Sequence, residues 1–347
     1  MIEQQRQAAQ IALAPEAFDY YLTGAGDETA AREAEQAWLR FRTLPRVLRD
    51  VATTDLAVSI CGVSLKTPFL VAPTAFHGLA DSEGECATRR GAAAANALPI
   101  LSMRSSRRME DFAVATGDPW WYQVYLLRDR GLTRALVERA VAAGASALVL
   151  TGDTPFVGRK PRLSDTRSPV ASGDLMVNIN EHLRANDDPL WAAEQSPSTT
   201  WADVGWLAGI SALPVLVKGV LRPDDALHSL ASGAAGVIVS NHGGRQSSRA
   251  LATAQALAPV VEAVGGSAPV LVDGGIRSGA DALVALALGA TAVLVGRPVL
   301  WALAAGGADG VSDMLTALSD DLRVEMSLVG ATSLDGIDAS LVTTSRN

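Results

Sequence analysis

The chain is poor in the residues that build small or metal-held folds. Its 347 residues include two cysteines, four histidines and four tyrosines, and aromatics reach only 5%. Cys61 and Cys86 are too few for a disulfide framework and show no metal-ligand spacing, so no metal site and a reducing compartment are expected. No secretory signal is visible in "MIEQQRQAAQ", which makes the cytoplasm the expected location. Long apolar runs are missing as well. The most apolar uncharged stretch, residues 282–296, is broken by two glycines and a threonine and falls short of the roughly 20 residues that span a bilayer, so no membrane partner is expected. Nor is there an excess of positive charge. With 29 Lys and Arg against 37 Asp and Glu the net charge is −8, which argues against nucleic acid, because that partner is held by a basic face. Any anionic ligand must therefore meet a local cluster of cations.

What is abundant is Ala, Gly, Val and Leu, in the proportions of an α/β protein. "GASALVLT", "GAAGVIVS" and "GATAVLVG" each combine a Gly-Ala helix exit with a short β-branched run, and each follows a segment of helical period. Adding "FLVAP", "PILS", "WYQVY", "PVLVK" and "PVLVD" yields eight buried-strand candidates alternating with helices, the count that closes a (β/α)8 TIM barrel. The spacing breaks only between Thr151 and Pro214, a stretch rich in Pro, Ser, Asp and Arg and long enough to be a lid. The expected organisation is one barrel domain over residues 1–347, with a helical and hairpin extension at 1–66 and a lid loop at 155–212 after strand 4.

In such a barrel the chemistry sits at the C-terminal ends of the strands. Those ends carry Pro73, Thr74 and Ala75 on strand 1, Ser102 on strand 2, Gln123 and Tyr125 on strand 3, and Thr151 and Asp153 on strand 4. Lys218 closes strand 5, and Ser240, Asn241 and His242 close strand 6. "DGGIRSG" and "GRP", after strands 7 and 8, place glycine amides, Arg277, Arg297 and a helix N-terminus where barrels commonly hold phosphate. Lys218 reads either as a lysine whose stem lines the barrel or as a fixed charge beside a group that becomes anionic.

"VSNHGGRQ", residues 239–246, makes the reading specific. It resembles the active-site signature of the FMN-dependent α-hydroxy acid oxidase and dehydrogenase family, which includes glycolate oxidase, lactate oxidase and mandelate dehydrogenase. The likeness runs through "FDYYLTGAGDET", "APTAFHGLADSEGE", "YQVYLLRDR", "LTGDTPFVGRK", "LPVLVKGV" and "LVDGGIRSGADALVALALGA" to "VGRPVLWALAAGG". The resemblance implies that FMN oxidises an L-2-hydroxy acid to the 2-oxo acid and is reoxidised by O2, giving hydrogen peroxide. It implies His242 as base, suited by an imidazole's unperturbed pKa of about 6.5, and Arg245 as the fork for the substrate carboxylate. Asp153 would orient the imidazole, Tyr20 would share the carboxylate, Tyr125 would lie near the hydroxyl, and Tyr21 would pack. Lys218 would stand beside the flavin where negative charge collects. For FMN the family pattern falls on Pro73, Thr74, Ala75, Ser102, Gln123, Thr151, Lys218 and Ser240, and for its phosphate on Asp273, Gly274, Gly275, Arg277, Gly296 and Arg297. A homo-oligomer, tetramer or octamer, is implied too.

His77, His182 and His228 match no family role and are expected on the surface or on helices. Three departures stand out. "SMRSS" replaces an aromatic after strand 2 and is expected to bring Met103 and Arg104 to the pocket mouth, where an added cation suits a larger or doubly anionic substrate, an arginine facing the surface being the equal alternative. Lys160 stands where the family has a second active-site arginine, an exchange that is not conservative where bidentate contact is needed. "QSSRALAT" lacks an aspartate common after "HGGRQ". The alternatives are a dehydrogenase using another acceptor and an FMN-binding protein that no longer turns over; no preceding haem domain is seen, which favours oxygen or a soluble acceptor. The His-Gly-Gly-Arg loop speaks against other FMN barrels, such as dihydroorotate dehydrogenase or type 2 isopentenyl diphosphate isomerase.

Overall fold

The computed structural model describes residues 1–164, 169, 175–183 and 187–344. Eight short parallel strands close into a barrel: β1 (Phe69–Val71), β2 (Leu98–Ser102), β3 (Trp121–Val124), β4 (Ala147–Thr151), β5 (Val215–Val220), β6 (Gly236–Val239), β7 (Val270–Val272) and β8 (Ala292–Val295). Each pairs with its neighbours in sequence, and β8 closes the ring by pairing with β1. All eight coincide with the apolar runs expected from the sequence.

The runs are apolar throughout because both faces are buried, and the period of two decides which face each residue serves. Leu70, Ile100, Trp121, Val149, Leu216, Ile238, Leu271 and Leu294 fill the barrel interior, while Val71, Leu101, Tyr122, Leu148, Val217, Val237, Val272 and Val293 pack outward in the larger core. Trp121 is accommodated because its register partner on β4 is the small Ala147. A hairpin, Val58–Ile60 paired with Val63–Leu65, places Ile60 and Leu65 in the same interior cluster. It therefore stoppers the barrel at one end, leaving the other to the site.

Helices follow the strands, from Glu85–Ala94 after β1 to the 33-residue Arg297–Val329 after β8, which is kinked at Gly306 and Gly307. Before the barrel come α1 (Ile2–Ala12), α2 (Pro15–Leu22) and α3 (Thr29–Trp38), as expected for the extension. Phe41–Thr43 pairs antiparallel with Val342–Thr344, fastening both chain regions together. Of the expected lid, residues 165–168, 170–174 and 184–186 lie outside the described residues. Among the described residues no helix is long and apolar enough to cross a membrane.

Ile60 is fully enclosed and Ser59 beside it is exposed. Ile60→Ala is expected to cost about 2–5 kcal/mol of stability through the cavity it leaves, and Ser59→Ala about 0.5 kcal/mol or less. Paired urea titrations followed by circular dichroism check the difference.

Candidate active site

At the carboxyl ends of the strands lies a cavity of about 360 Å³. Pro73, Thr74, Ala75, Ser102, Lys218, Asp273, Gly274, Gly275, Gly296 and Arg297 line it. Tyr20, Tyr125, Lys160, His242, Arg245 and Arg277 complete the expected set that reaches it. Gln123, Thr151, Ser240 and Asp153 stand behind this wall rather than in it. Gln123 accepts from Ser102 Oγ and donates to Thr151 Oγ1 at 3.0 Å, joining β2, β3 and β4.

The deepest charge is Lys218. Its Nζ pairs with Asp273 Oδ2 at 2.8 Å and donates to Ser240 Oγ at 2.7 Å, so β5, β6 and β7 meet on one ammonium. Burial opposes that charge, but Asp273 and Asp153 outweigh it and raise the lysine above its ordinary value. The strand bulges just past Lys218, and Gly219 there has φ of 108°; a Cβ on it would lie 2.6 Å from the Asp153 side chain. This residue must be glycine for Asp153 to stand beside Lys218.

His242 follows β6 in a left-handed conformation, φ 57°, which is costly for a side chain with a Cβ and is held by its surroundings. Its backbone N donates to Ser240 Oγ at 3.0 Å. The side chain of Asn241 accepts from Gly244 N, and Ala25 N donates to Gly244 O, pinning the loop to the N-terminal extension. His242 Nδ1 donates to Asp153 Oδ1 at 3.0 Å, which fixes the tautomer with Nε2 as the acceptor. Burial would raise the Asp153 carboxyl, yet His242 and Lys218 hold it below the ordinary carboxylate value. The result is a carboxylate–imidazole pair with a basic nitrogen free for a ligand.

Arg245 donates through Nη1 to the carbonyls of Tyr20 (2.9 Å) and Thr23 (2.8 Å) and stands over the Tyr20 ring, leaving Nη2 without a partner among the described residues. Arg297 donates to the Tyr21 and Thr23 carbonyls. Burial, then the neighbouring Arg245 and Arg277, pull its guanidinium down to about 9. Arg277 pairs with Glu35 at 2.8 Å and stacks on Trp301. Two polar atoms here are buried without partners, Asp273 Oδ1 and Arg277 Nε. Crowded arginines and the unpartnered Arg277 Nε donor, beside the Gly274–Gly275 turn and the N-terminus of the longest helix, fit a bound phosphate, whereas Asp273 Oδ1, an acceptor, fits a hydroxyl donor.

Burial lowers the Lys160 ammonium to about 8, with Arg245 and Arg104 adding to the effect. Burial also pushes the Tyr125 phenol up, so it stays a donor.

Two expectations need correction. Met103 is not at the mouth: it is fully buried in the core, because its backbone N is tied to Gln123 and only Arg104 turns to the cavity. Of the two placements expected for His77 the surface is overturned: it opens the short 3-10 helix His77–Leu79 but is enclosed. It is buried between Thr74 Oγ1 and Thr88 Oγ1, each 2.7 Å from a ring nitrogen, and burial lowers its pKa. Buried Glu85 supports that turn by accepting from the backbone N of His77 and Ser106. Tyr21 packs as expected, its hydroxyl donating to Phe76 O. Sequence reasoning also missed Thr154, which donates to Asp153 Oδ1 and accepts from Gln246 Nε2. Their position inside "GDT" and "HGGRQ" was the available signal.

A parallel barrel with a His–Asp pair, a buried lysine and a phosphate cradle defines a flavin-type oxidoreductase. The chain belongs to the FMN-dependent dehydrogenase family, which it matches over residues 9–344. It is 43% identical to an L-lactate oxidase of Nostoc sp. (strain PCC 7120 / SAG 25.82 / UTEX 2576), covering 97% of this chain and 96% of the relative. It is 42% identical to a peroxisomal (S)-2-hydroxy-acid oxidase of Oryza sativa subsp. japonica, over 99% and 95%. Solved structures of mandelate oxidase are similar. A variant with (S)-mandelic acid has a TM-score of 0.88 at 37% identity over 100% of this chain and 98% of that one. Another, with a C4a-OH-FMN adduct, has a TM-score of 0.87 at 37% identity over 99% of each chain.

If Lys160 carries its charge into the cavity only below about 8, affinity for a small carboxylate should weaken as pH rises through that value. Acetate or oxalate titrations of the flavin absorbance should show this in the natural protein and not in Lys160→Arg. A pH-independent affinity from 7 to 9 would refute the assignment.

Proposed function

We propose that this protein is an FMN-dependent (S)-2-hydroxy-acid oxidase, taking an L-2-hydroxy acid to the 2-oxo acid with O2 as the final acceptor and hydrogen peroxide as the second product. The observation that carries this is the His242–Asp153 pair at 3.0 Å, facing a cavity that also holds Arg245. The names of the relatives support it.

When bound, FMN supplies an acceptor for the two electrons of the substrate. Its phosphate would be held by Arg297, Arg277 and the backbone of Gly274, Gly275 and Gly296, with Asp273 close by. Its ring would meet Pro73, Thr74, Ala75, Ser102 and Lys218, with Gln123, Thr151 and Ser240 bracing that wall. Arg245 and Tyr20 hold the substrate carboxylate, so the hydroxyl-bearing carbon is presented in one orientation. His242 Nε2 takes a proton from the substrate, and the Asp153 carboxylate stabilises the resulting imidazolium. Tyr125 donates to the substrate hydroxyl oxygen, and Lys160 supplies a second cation to the anionic ligand. Lys218, kept charged by Asp273, stabilises negative charge at the back of the cavity.

The whole chain acts as one domain, with 1–66 as its extension and 155–212 as a lid; Val157, Lys160, Leu163, Met176, Leu190 and Gln195 of that segment line the cavity. The working form is a homo-oligomer, a tetramer by resemblance. Exposed apolar Leu44, Val47 and Leu48, in a segment tied to the end of the longest helix by the bond from Arg46 N to Val329 O, support it. A cytoplasmic location is consistent with two free cysteines.

The decisive experiment is anaerobic addition of glycolate, (S)-lactate, (S)-mandelate and longer 2-hydroxy acids to the yellow protein, followed by air and a peroxide assay. Bleaching by at least one acid, S over R, with reoxidation and peroxide is expected. Bleaching without reoxidation by air would make it a dehydrogenase, and no bleaching a non-catalytic flavoprotein. His242→Asn should keep FMN, identified by mass spectrometry of the released cofactor, while flavin reduction slows by about 10²–10⁴-fold.

A further inference from the structure

Among the described residues six cationic side chains, Arg104, Lys160, Lys218, Arg245, Arg277 and Arg297, line the cavity, and Asp273 is the one carboxylate. The chain as a whole is acidic, at −8, so this is a local concentration of charge. Lys218 is balanced by Asp273 and Arg277 by Glu35. The other four have no ion-pair partner among the described residues. A cofactor phosphate accounts for Arg297, and the carboxylate of a 2-hydroxy acid for Arg245. Arg104 is left over, and Lys160, whose ammonium Arg104 perturbs, stands near it.

We propose that Arg104, seconded by Lys160, binds a second anionic group on the substrate, so that the preferred substrates are 2-hydroxydicarboxylates rather than 2-hydroxymonocarboxylates. This rests on the 2-hydroxy-acid reading above and deepens it. Arg104 is held for the task. Its backbone N donates to Ser102 Oγ and its carbonyl accepts from Phe76 N, fixing the chain at the exit of β2. Its Nη2 donates to Ala193 O at 3.0 Å, and its guanidinium stands 5.2 Å from the centre of the Tyr125 ring. Arg104 therefore faces the pocket from beside the tyrosine assigned to the substrate hydroxyl. Its Nε is buried and has no hydrogen-bond partner.

The apolar residues Val157, Leu163, Met176 and Leu190 also reach the cavity and would suit an alkyl or aromatic substituent. An apolar group seated against Arg104 would desolvate its guanidinium without a carboxylate to pair it, a cost that grows with burial. A carboxylate supplies that partner, and methylenes between its two carboxylates use the apolar wall.

The test is anaerobic stopped-flow reduction of the FMN-loaded protein by two pairs of equal carbon number, (S)-malate against (S)-2-hydroxybutanoate and (S)-2-hydroxyglutarate against (S)-2-hydroxypentanoate. In at least one pair the dicarboxylate should have the higher ratio of reduction rate to Kd, by about 10- to 100-fold, the range for a hydrogen bond to a charged group. Arg104→Met should erase most of that preference and Arg104→Lys should restore part of it. Should a variant fail to fold or to hold FMN, the comparison in the natural protein decides alone. Monocarboxylates equal or better in both pairs would overturn the inference while leaving the oxidase reading intact, as would an undiminished preference in folded Arg104→Met. Reduction by none of these acids, nor by lactate, glycolate or mandelate, would overturn both.

Discussion

The site depends on one buried ammonium. Lys218 ends an otherwise apolar strand with its Nζ in the closed mouth of the barrel, where an uncompensated charge would be untenable. Asp273 and Ser240 make it tenable and thereby join the ends of three strands. Ser240 Oγ also receives the backbone N of His242, so the strained conformation of that histidine rests on the same oxygen. Losing one partner of such a buried pair typically costs about 3–5 kcal/mol, so the stability of the barrel and the placement of His242 are coupled.

Outward from Lys218 the cavity is a region of surplus positive charge inside an acidic protein. Arg297 is held low by burial and then by Arg245 and Arg277. Part of the field is dissipated on backbone carbonyls, because Arg245 and Arg297 both donate to the end of α2. Those bonds also tie the N-terminal extension to the catalytic loop, so a segment outside the barrel completes the site. Anions entering this cavity relieve repulsion already built into the fold, which favours an anionic cofactor and an anionic substrate together.

Solved structures of mandelate oxidase share this architecture. Arg104 follows β2 and Lys160 belongs to the segment after β4, so the two cations come from different barrel units and converge on one cavity through the closure of the sheet. The buried Lys218–Asp273 pair and these two cations are thus held by different parts of the chain.

The barrel was legible in the sequence because its strands are buried on both faces and read as bounded apolar runs, each followed by the small or polar residues that form the rim. His242, Arg245, Asp153 and Lys218 were legible by resemblance, as residues adjacent to those runs. What was not legible was burial in three dimensions. His77 follows an apolar strand by a few residues in a polar turn, and no local pattern shows that Thr74, Thr88 and Glu85 enclose it. Met103 and Arg104 are neighbours in the chain, yet one joins the core and the other the cavity, because the Gln123 side chain from β3 fixes the turn between them. Strand order, helix order and residue type are local quantities and were determined by the sequence as written. Which cation remains without a carboxylate depends on side chains brought together across the ring, and only the closed tertiary structure decided it.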